Sequence, residues 1–193
     1  MVKLTGYKKV KTAVFISGTG SNLESLIKFS KTNRSPISID LIVSNNPRAK
    51  GLSFGKTFKI KKKIFNFEKK NQNENKILNT LKHYDIKMIF LAGFMRILSK
   101  NFITKFRGKI LNIHPSLLPK FKGLNTHQRA LDNKEKYSGC TVHFVNSRLD
   151  SGKIILQKKV KILKNETKQS LAAKVLSQEH KLYPRAILKV FNL

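Results

Sequence analysis

Short apolar runs alternate with helix-like segments along the first half of the chain. The runs at 13–17, 37–43 and 88–93 are rich in aliphatic and aromatic residues, which is typical of buried strands. Between the runs, apolar residues return at helical spacing. This spacing predicts helices after residue 20, at 49–56, at 75–84 and after Ser99, with a short strand inside 58–67.

Two further apolar segments, 139–145 and 153–160, are predicted to be strands joined by the turn at 149–152. After a helix at 126–131, these two strands would form an antiparallel extension of the sheet. A closing helix is predicted over 167–192, with Pro184 kinking or breaking it.

Strands that alternate with helices form right-handed crossovers and a parallel sheet. We therefore predict an α/β fold of Rossmann-like type, with a mostly parallel central sheet flanked by helices and an antiparallel C-terminal extension. No internal repeat and no linker divides the sequence, so residues 1–193 are predicted to form a single domain.

The segment 111–123 combines a strand end with a turn. Two prolines and a glycine interrupt it, so it cannot continue as a helix. Asn112 and His114 alternate with apolar neighbours, which places both polar side chains on one face of an extended chain. A carboxamide beside an imidazole can bind a carbonyl oxygen and move a proton. Taken alone, the pair also fits a strand end with a satisfied histidine.

The segment 18–22 joins a predicted strand to a predicted helix and ends in Gly20, Ser21 and Asn22. Such a turn presents backbone N–H groups and the positive end of a helix to a phosphate. Leu23 stands where a dinucleotide site has its third glycine, and Asp40 precedes the core of the second strand. We therefore expect a phosphomonoester rather than a nicotinamide cofactor. A plain strand–helix turn is the other interpretation.

Ligands of parallel sheets bind at the carboxyl ends of the strands. The segments 18–22, 93–98 and 112–115 each follow a predicted strand, so we expect them at one edge of the sheet.

Composition narrows the possible functions. The apolar runs are far shorter than the roughly 20 residues of a membrane span, and the first residues lack an apolar signal region. The single cysteine, Cys140, indicates a reducing cytoplasm. The net charge of +30 comes from lysines spread over almost every segment. Because aromatic and arginine-rich RNA-binding signatures are missing from the sequence, we do not expect nucleic acid as a partner. Such a charge would also steer anionic small substrates.

Three motifs carry a family resemblance: ISGTGSNL at 16–23, LAGFMRIL at 91–98 and NIHPSLLP at 112–119. The pieces GLNTH, VHFV, LDSG and QEH follow in the same order and spacing. From about residue 13 to residue 184, the chain resembles the phosphoribosylglycinamide formyltransferase family.

The resemblance implies transfer of a formyl group from 10-formyltetrahydrofolate to the amine of glycinamide ribonucleotide in purine synthesis, without a metal. It implies three sets of site residues. The catalytic residues would be Asn112, His114 and Asp150. The ribonucleotide would meet Gly20, Ser21, Asn22 and Glu179. The folate would meet Met95, Arg96, Ile97, Leu98 and Asn112.

The chemistry of these side chains is consistent with that reaction. Attack of an amine on a formyl carbon creates an oxyanion, which the Asn112 N–H groups and a protonated His114 can stabilise. Asp150 would favour the imidazolium and orient the ring. His143 could support the site or be purely structural. Lys70 stands where the family commonly has an arginine for the folate tail, so a bidentate contact would be lost.

Two alternatives remain at this stage. A methionyl-tRNA formyltransferase shares the central motif, although it carries a further RNA-binding domain. A basic nucleic-acid-binding α/β module would use the charge without any catalysis. The expected protein is a cytoplasmic monomer or homodimer that binds small-molecule substrates and no membrane.

Overall fold

The computed structural model describes residues 8–67 and 70–193, and the side chains of residues 70–72 lie outside this description. The chain forms two compact units, one ending at Leu111 and the other beginning at Asn112. The prediction of a single domain over 1–193 is not tested by this division.

Seven strands form one sheet in the order β3-β2-β1-β4-β5-β6-β7. The strands are β1 Val10–Ile16, β2 Ile37–Ser44, β3 Lys61–Ile64, β4 Met88–Leu91, β5 Lys109–His114, β6 Tyr137–Phe144 and β7 Ile154–Lys161. The helices are α1 Ser21–Ser30, α2 Ser53–Thr57, α3 Lys70–His83, α4 Lys100–Lys105, α5 Thr126–Asp132 and α6 Lys168–Val190, and a 3-10 turn spans Lys50–Leu52. The predicted α/β fold with flanking helices is confirmed.

The first unit is built on parallel strands. β1 pairs in parallel with β2 and β4, and β2 pairs in parallel with β3. β1 is buried because four consecutive apolar side chains, at 13–16, are fully shielded from solvent. A strand buried on both faces is what a continuous apolar run predicts in a parallel sheet. The buried run ends at Ile16, the last residue of β1, and the loop after β1 begins at Ser17.

The second unit contains the predicted antiparallel extension. β6 and β7 pair in antiparallel register, and helix α6 lies against both strands. The helix begins with a capping box between Thr167 and Ser170. Pro184 lies inside α6, and the helix continues to Val190. The prediction that Pro184 could break this helix is therefore wrong.

Two helical segments differ most from the sequence prediction. The segment 49–56 is a 3-10 turn followed by the short helix α2 rather than one helix. Helix α3 begins at Lys70 instead of residue 75. The prediction missed its first turn because that turn is polar and carries no apolar periodicity.

No helix among the described residues is long and apolar enough to cross a membrane.

Candidate active site

In the first unit, the loop after β1 leads directly into helix α1. Gly20 is the N-cap residue of α1 and adopts a left-handed conformation with φ 78°. No side chain caps the helix, so its start is built from backbone alone. The first N–H groups of a helix lack acceptors within the helix, and the dipole favours an anion there. Ser21 and Asn22 occupy this first turn, as the sequence predicted.

Position 20 leaves no room for a side chain, because its backbone lies against the backbone of Gly51. A Cβ atom at Gly20 would lie 2.7 Å from the Cα of Gly51, and a Cβ at Gly51 would lie 2.9 Å from the Cα of Gly20. The Gly51 N–H also donates to the Gly18 carbonyl over 3.1 Å. Sequence reasoning missed Gly51, since an isolated glycine in a helix-like segment carries no signal of a distant partner.

The loop after β4, residues 92–98, also lies in the first unit. Met95 and Ile97 expose 64% and 61% of their surface, and Arg96 is exposed too. Leu98 is buried, with only 5% exposed. Exposed apolar side chains next to a guanidinium suit a flat, partly anionic ligand. Of the four residues that the resemblance implies for folate here, three are free to meet a ligand from solvent.

In the second unit, Asn112 and His114 lie on β5, two residues apart, as the sequence predicted. His114 is 5% exposed. Its Nε2 lies 2.9 Å from the Phe121 carbonyl, which can only accept, so Nε2 carries the hydrogen. Its Nδ1 lies 3.4 Å from Oδ2 of Asp150. In neutral His114, Nδ1 is therefore the nitrogen that can take up a proton, and it does so beside a carboxylate.

Asp150 is placed by a turn. Its backbone is left-handed, with φ 44°, a conformation that is rare for most residues but enriched in aspartate and asparagine. Its Oδ2 accepts a hydrogen bond of 2.9 Å from the Gly123 N–H. The sequence placed Asp150 in a turn. In the structure, the carboxylate of Asp150 faces the His114 ring.

Burial and charge act in opposite directions on this pair. Burial lowers the pKa of His114 below its ordinary value, and the Phe121 carbonyl and the Asp150 carboxylate oppose that shift only in part. Burial also opposes ionisation of Asp150, but its polar contacts, which include the Gly123 N–H, hold the pKa of this carboxyl below its ordinary value. At neutral pH the pair is therefore a neutral imidazole next to a carboxylate.

His143 on β6 supports Asn112. Its Nδ1 lies 2.8 Å from the Phe144 carbonyl and must carry the hydrogen there, so Nε2 is the acceptor. Asn112 Nδ2 donates to this Nε2 over 3.2 Å and lies 3.5 Å from Oδ1 of Asp150. His143 thus fixes which way the Asn112 carboxamide faces. Of the two sequence interpretations for His143, support of the site agrees with these contacts.

Glu179 lies on α6 in the second unit and is 6% exposed. The Cys140 thiol is buried on β6, and burial, together with the Glu179 charge, raises its pKa to about 12. Cys140 therefore stays a neutral, buried thiol at neutral pH, as its predicted core role requires.

The structure brings Asn112, His114 and Asp150 together within the second unit, and the two loop segments of the first unit adopt the expected strand-end positions. Whether the features of both units meet one ligand stays a prediction. The prediction for the Lys70 side chain lies outside the described residues. Among the residues that the structure describes, no group of three or more His, Cys, Asp or Glu side chains is placed to hold a metal ion.

Comparison with known proteins gives consistent matches. Residues 10–187 match the family described as Formyl transferase. The phosphoribosylglycinamide formyltransferase of Haemophilus influenzae is 41% identical over 180 residues, which cover 92% of this chain and 85% of that protein. The human trifunctional purine biosynthetic protein adenosine-3 is 42% identical over 183 residues, 93% of this chain, and the chain spans only 18% of that protein's length.

A solved structure agrees with these sequence matches. The crystal structure of phosphoribosylglycinamide formyltransferase from Brucella melitensis superposes with a TM-score of 0.89 at 44% identity. The match covers 95% of this chain and 96% of that one.

Proposed function

Because the chain belongs to the formyl transferase family, we propose that it transfers the formyl group of 10-formyltetrahydrofolate to the amine of glycinamide ribonucleotide. The products are formylglycinamide ribonucleotide and tetrahydrofolate, in purine biosynthesis. The observation that carries the proposal is the arrangement of Asn112, His114 and Asp150, in which His114 Nδ1 lies 3.4 Å from the carboxylate. The name of the Haemophilus influenzae relative supports the choice of substrate.

The reaction requires a proton to pass from the substrate amine to the folate nitrogen. The substrate amine attacks the formyl carbon and forms a new C–N bond, which makes a tetrahedral intermediate with an oxyanion. The C–N bond to the folate then breaks, and the folate nitrogen leaves with a proton that the amine has lost. A group that accepts and then donates a proton near neutral pH therefore lowers both barriers.

His114 suits this role because its resting form is neutral. The imidazole would accept the amine proton at Nδ1, where Asp150 stabilises the imidazolium that results. The imidazolium would then donate the proton to the departing folate nitrogen. Asp150 stays ionised throughout, because its pKa is held below the ordinary value of a carboxyl group.

Asn112 is proposed to stabilise the oxyanion. One hydrogen of its Nδ2 is committed to His143 over 3.2 Å, which holds the amide plane in position. Its other hydrogen faces Oδ1 of Asp150 over 3.5 Å, a long bond that it would exchange for a bond to the developing charge.

The resemblance implies a separate set of contacts for each of the two substrates. Gly20, Ser21 and Asn22 would hold the ribonucleotide phosphate at the start of α1, and Glu179 would contact the same substrate. Met95, Arg96, Ile97 and Leu98 would line the folate, with Asn112 near its formyl group. The exposure of Met95 and Ile97 supports the folate assignment.

The two alternatives from the sequence have less support. The relatives reported above carry the name of the ribonucleotide enzyme or of a purine biosynthetic protein, not of a tRNA enzyme. A module that only binds nucleic acid has no use for a buried histidine–aspartate pair. We further propose a cytoplasmic monomer or homodimer whose partners are small molecules rather than nucleic acid.

The test is a formyl-transfer assay with 10-formyltetrahydrofolate and glycinamide ribonucleotide. His114→Ala should lower kcat by at least about 10²-fold, the usual scale for a positioned acid–base group. His83→Ala is the matched control, because His83 is exposed on α3 and should leave kcat unchanged. A folded wild-type protein without turnover would refute the proposed reaction. Formylation of charged initiator tRNA instead would favour the tRNA alternative.

A further inference from the structure

The loop after β4 exposes two large apolar side chains to water, which is energetically unfavourable. Met95 and Ile97 are 64% and 61% exposed on a segment without regular secondary structure. Apolar side chains gain free energy by leaving water, so an unrestrained loop would collapse onto the surface beside it. Something must hold the loop open for a ligand.

Ser17 holds the beginning of this loop. Its hydroxyl accepts a hydrogen bond of 2.8 Å from the Met95 N–H. The same hydroxyl donates to Oδ1 of Asn45 over 2.5 Å, so its hydrogen points away from Met95. The Ser17 N–H donates to the Gly93 carbonyl over 3.1 Å. Two separate bonds therefore tie Ser17 to the start of the loop.

The carbonyl of Ser17 has a partner as well, because Asn46 Nδ2 donates to it over 3.1 Å. Ser17 is thus bonded to the segments that follow β2 and β4, and it directly precedes the loop that leads to Gly20. A serine with an N–H, a hydroxyl and a carbonyl all engaged is held in one conformation.

Glu74 holds the end of the same loop. This residue of α3 is 1% exposed, and one of its carboxylate oxygens accepts from the Ser99 N–H over 2.8 Å. The other oxygen accepts a short bond from the Ser99 hydroxyl. Ser99 in turn caps helix α4 by accepting from the Phe102 N–H over 3.0 Å. Hydrogen bonds to a charged group are stronger than neutral ones, above all when buried.

Between the two ends, Phe94 fastens the loop by its side chain. Its ring makes edge-to-face contacts with Phe15 and Phe67, with centroids 5.4 Å away in each case. Such pairs contribute stability beyond the area that they bury. The segment 95–97 is therefore the only part of the loop whose side chains face outward, between fixed points on either side.

We propose that Ser17 and Glu74 are positioning residues, a two-point clamp that holds residues 95–98 open as a preformed apolar platform for the folate. The clamp acts through the loop and touches no substrate. Preorganisation of this kind improves affinity because the loop loses no further freedom when the ligand binds. The folate part of this inference rests on the proposed function, whereas the clamp itself does not.

The clamp is tested first by amide hydrogen exchange, measured by mass spectrometry on peptides that cover residues 93–99. In Ser17→Ala, the Met95 amide loses its acceptor and should exchange about tenfold faster, as expected for loss of one such bond. In Glu74→Gln one carboxylate oxygen becomes an NH2 group, which cannot accept from the Ser99 hydroxyl, so Ser99 is held less firmly and its amide should also exchange faster. Thr32→Ala is the control, because it removes an exposed hydroxyl that bonds only within its own turn. Unchanged exchange over 93–99 in both clamp variants would overturn the proposal.

Steady-state kinetics then test the effect on the folate. Ser17→Ala and Glu74→Gln should each raise the KM for 10-formyltetrahydrofolate about five- to twentyfold. The KM for the ribonucleotide and kcat at saturation should stay within about twofold of wild type. Ser17→Thr keeps the hydroxyl and should restore the folate KM. An equal rise in both KM values would indicate general loosening and would overturn the platform role.

The two experiments separate the possible failures. Accelerated exchange with an unchanged folate KM would show that the clamp exists but does not affect folate binding. That result would refute the proposed platform role. Absence of turnover in the wild type would refute the proposed function, and exchange would still decide whether the clamp exists. If Ser17→Ala fails to fold, Glu74→Gln provides the same pair of measurements from the other end of the loop.

Discussion

At the scale of single residues, the histidine–aspartate pair shows how two weak sequence signals become one chemical unit. His114 follows a strand pattern and Asp150 occupies a turn, and 36 residues separate them in the sequence. The Phe121 carbonyl orients one ring nitrogen over 2.9 Å and leaves the other to face the carboxylate. The Gly123 N–H orients the carboxylate itself. The backbone of one loop therefore positions both side chains.

The direction of the His114 shift leads to a prediction for the pH dependence. Because burial lowers the pKa of His114, the neutral imidazole predominates down to below the ordinary value of 6.5. If this form accepts the amine proton, kcat/KM falls as the pH falls through the lowered pKa. The acid limb of the profile should therefore have its midpoint below pH 6.5, measured by initial rates across the acid range.

Asp150→Asn should move this midpoint further toward acid. The Asp150 charge favours the imidazolium, so its removal lowers the pKa of His114 again. The same variant should lower kcat by at least about 10²-fold, since the imidazolium loses its stabilising partner. Asp85→Asn removes an exposed carboxylate and should move neither quantity. A midpoint that moves toward alkaline pH in Asp150→Asn would contradict this assignment.

At the scale of elements, the loop between β1 and α1 depends on two glycine backbones in contact. The sequence identified Gly20 from its place between strand and helix, but the reason for the glycine lies at Gly51. Gly20 has both a left-handed φ of 78° and no room for a Cβ atom. A side chain there would push apart the start of α1 and the 3-10 turn.

Gly20→Ala should therefore destabilise the protein by about 1–3 kcal/mol, since it adds backbone strain and a clash with Gly51. Thermal or urea unfolding would measure this loss. In the same variant, the KM for the ribonucleotide should rise, because the first turn of α1 is displaced.

Gly18→Ala is the matched control for stability. A Cβ atom at Gly18 has no heavy atom within 4 Å, so unfolding should be nearly unchanged. Equal stabilities for Gly18→Ala and Gly20→Ala would show that the contact with Gly51 has no energetic consequence.

At the scale of the whole molecule, the charge of +30 is the dominant property. The lysines cover strands, helices and loops alike, including the exposed β3, so they form a field rather than one patch. A field of one sign attracts anions of opposite sign and raises their association rates. The proposed ribonucleotide carries a phosphate and the folate a carboxylate tail, so both substrates would respond.

This field predicts a salt dependence. Raising the ionic strength from about 0.02 M to about 0.15 M shortens the Debye length to roughly 8 Å. The kcat/KM for the ribonucleotide should then fall several-fold, while kcat at saturation stays constant. Potassium acetate at equal ionic strength should act like potassium chloride, which separates screening from competition by one particular anion. A flat response would mean that the charge does not steer this substrate.

The sequence by itself determined the order and type of most strands and helices, because apolar periodicity reports burial locally. It also determined that Asn112 and His114 share a face of β5, since strand alternation needs only two residues. Helix α3 shows the limit of this reasoning: its polar first turn has no periodicity to detect.

Only the tertiary structure decided which distant residues meet. The pairing of Gly20 with Gly51, of Ser17 with Met95 and of Glu74 with Ser99 joins elements far apart in the chain. The protonation states follow the same rule, since burial of His114 overrides the charge of Asp150, and burial is a property of packing. Local patterns record what each residue prefers, whereas contacts, clearances and desolvation exist only after the chain has closed on itself.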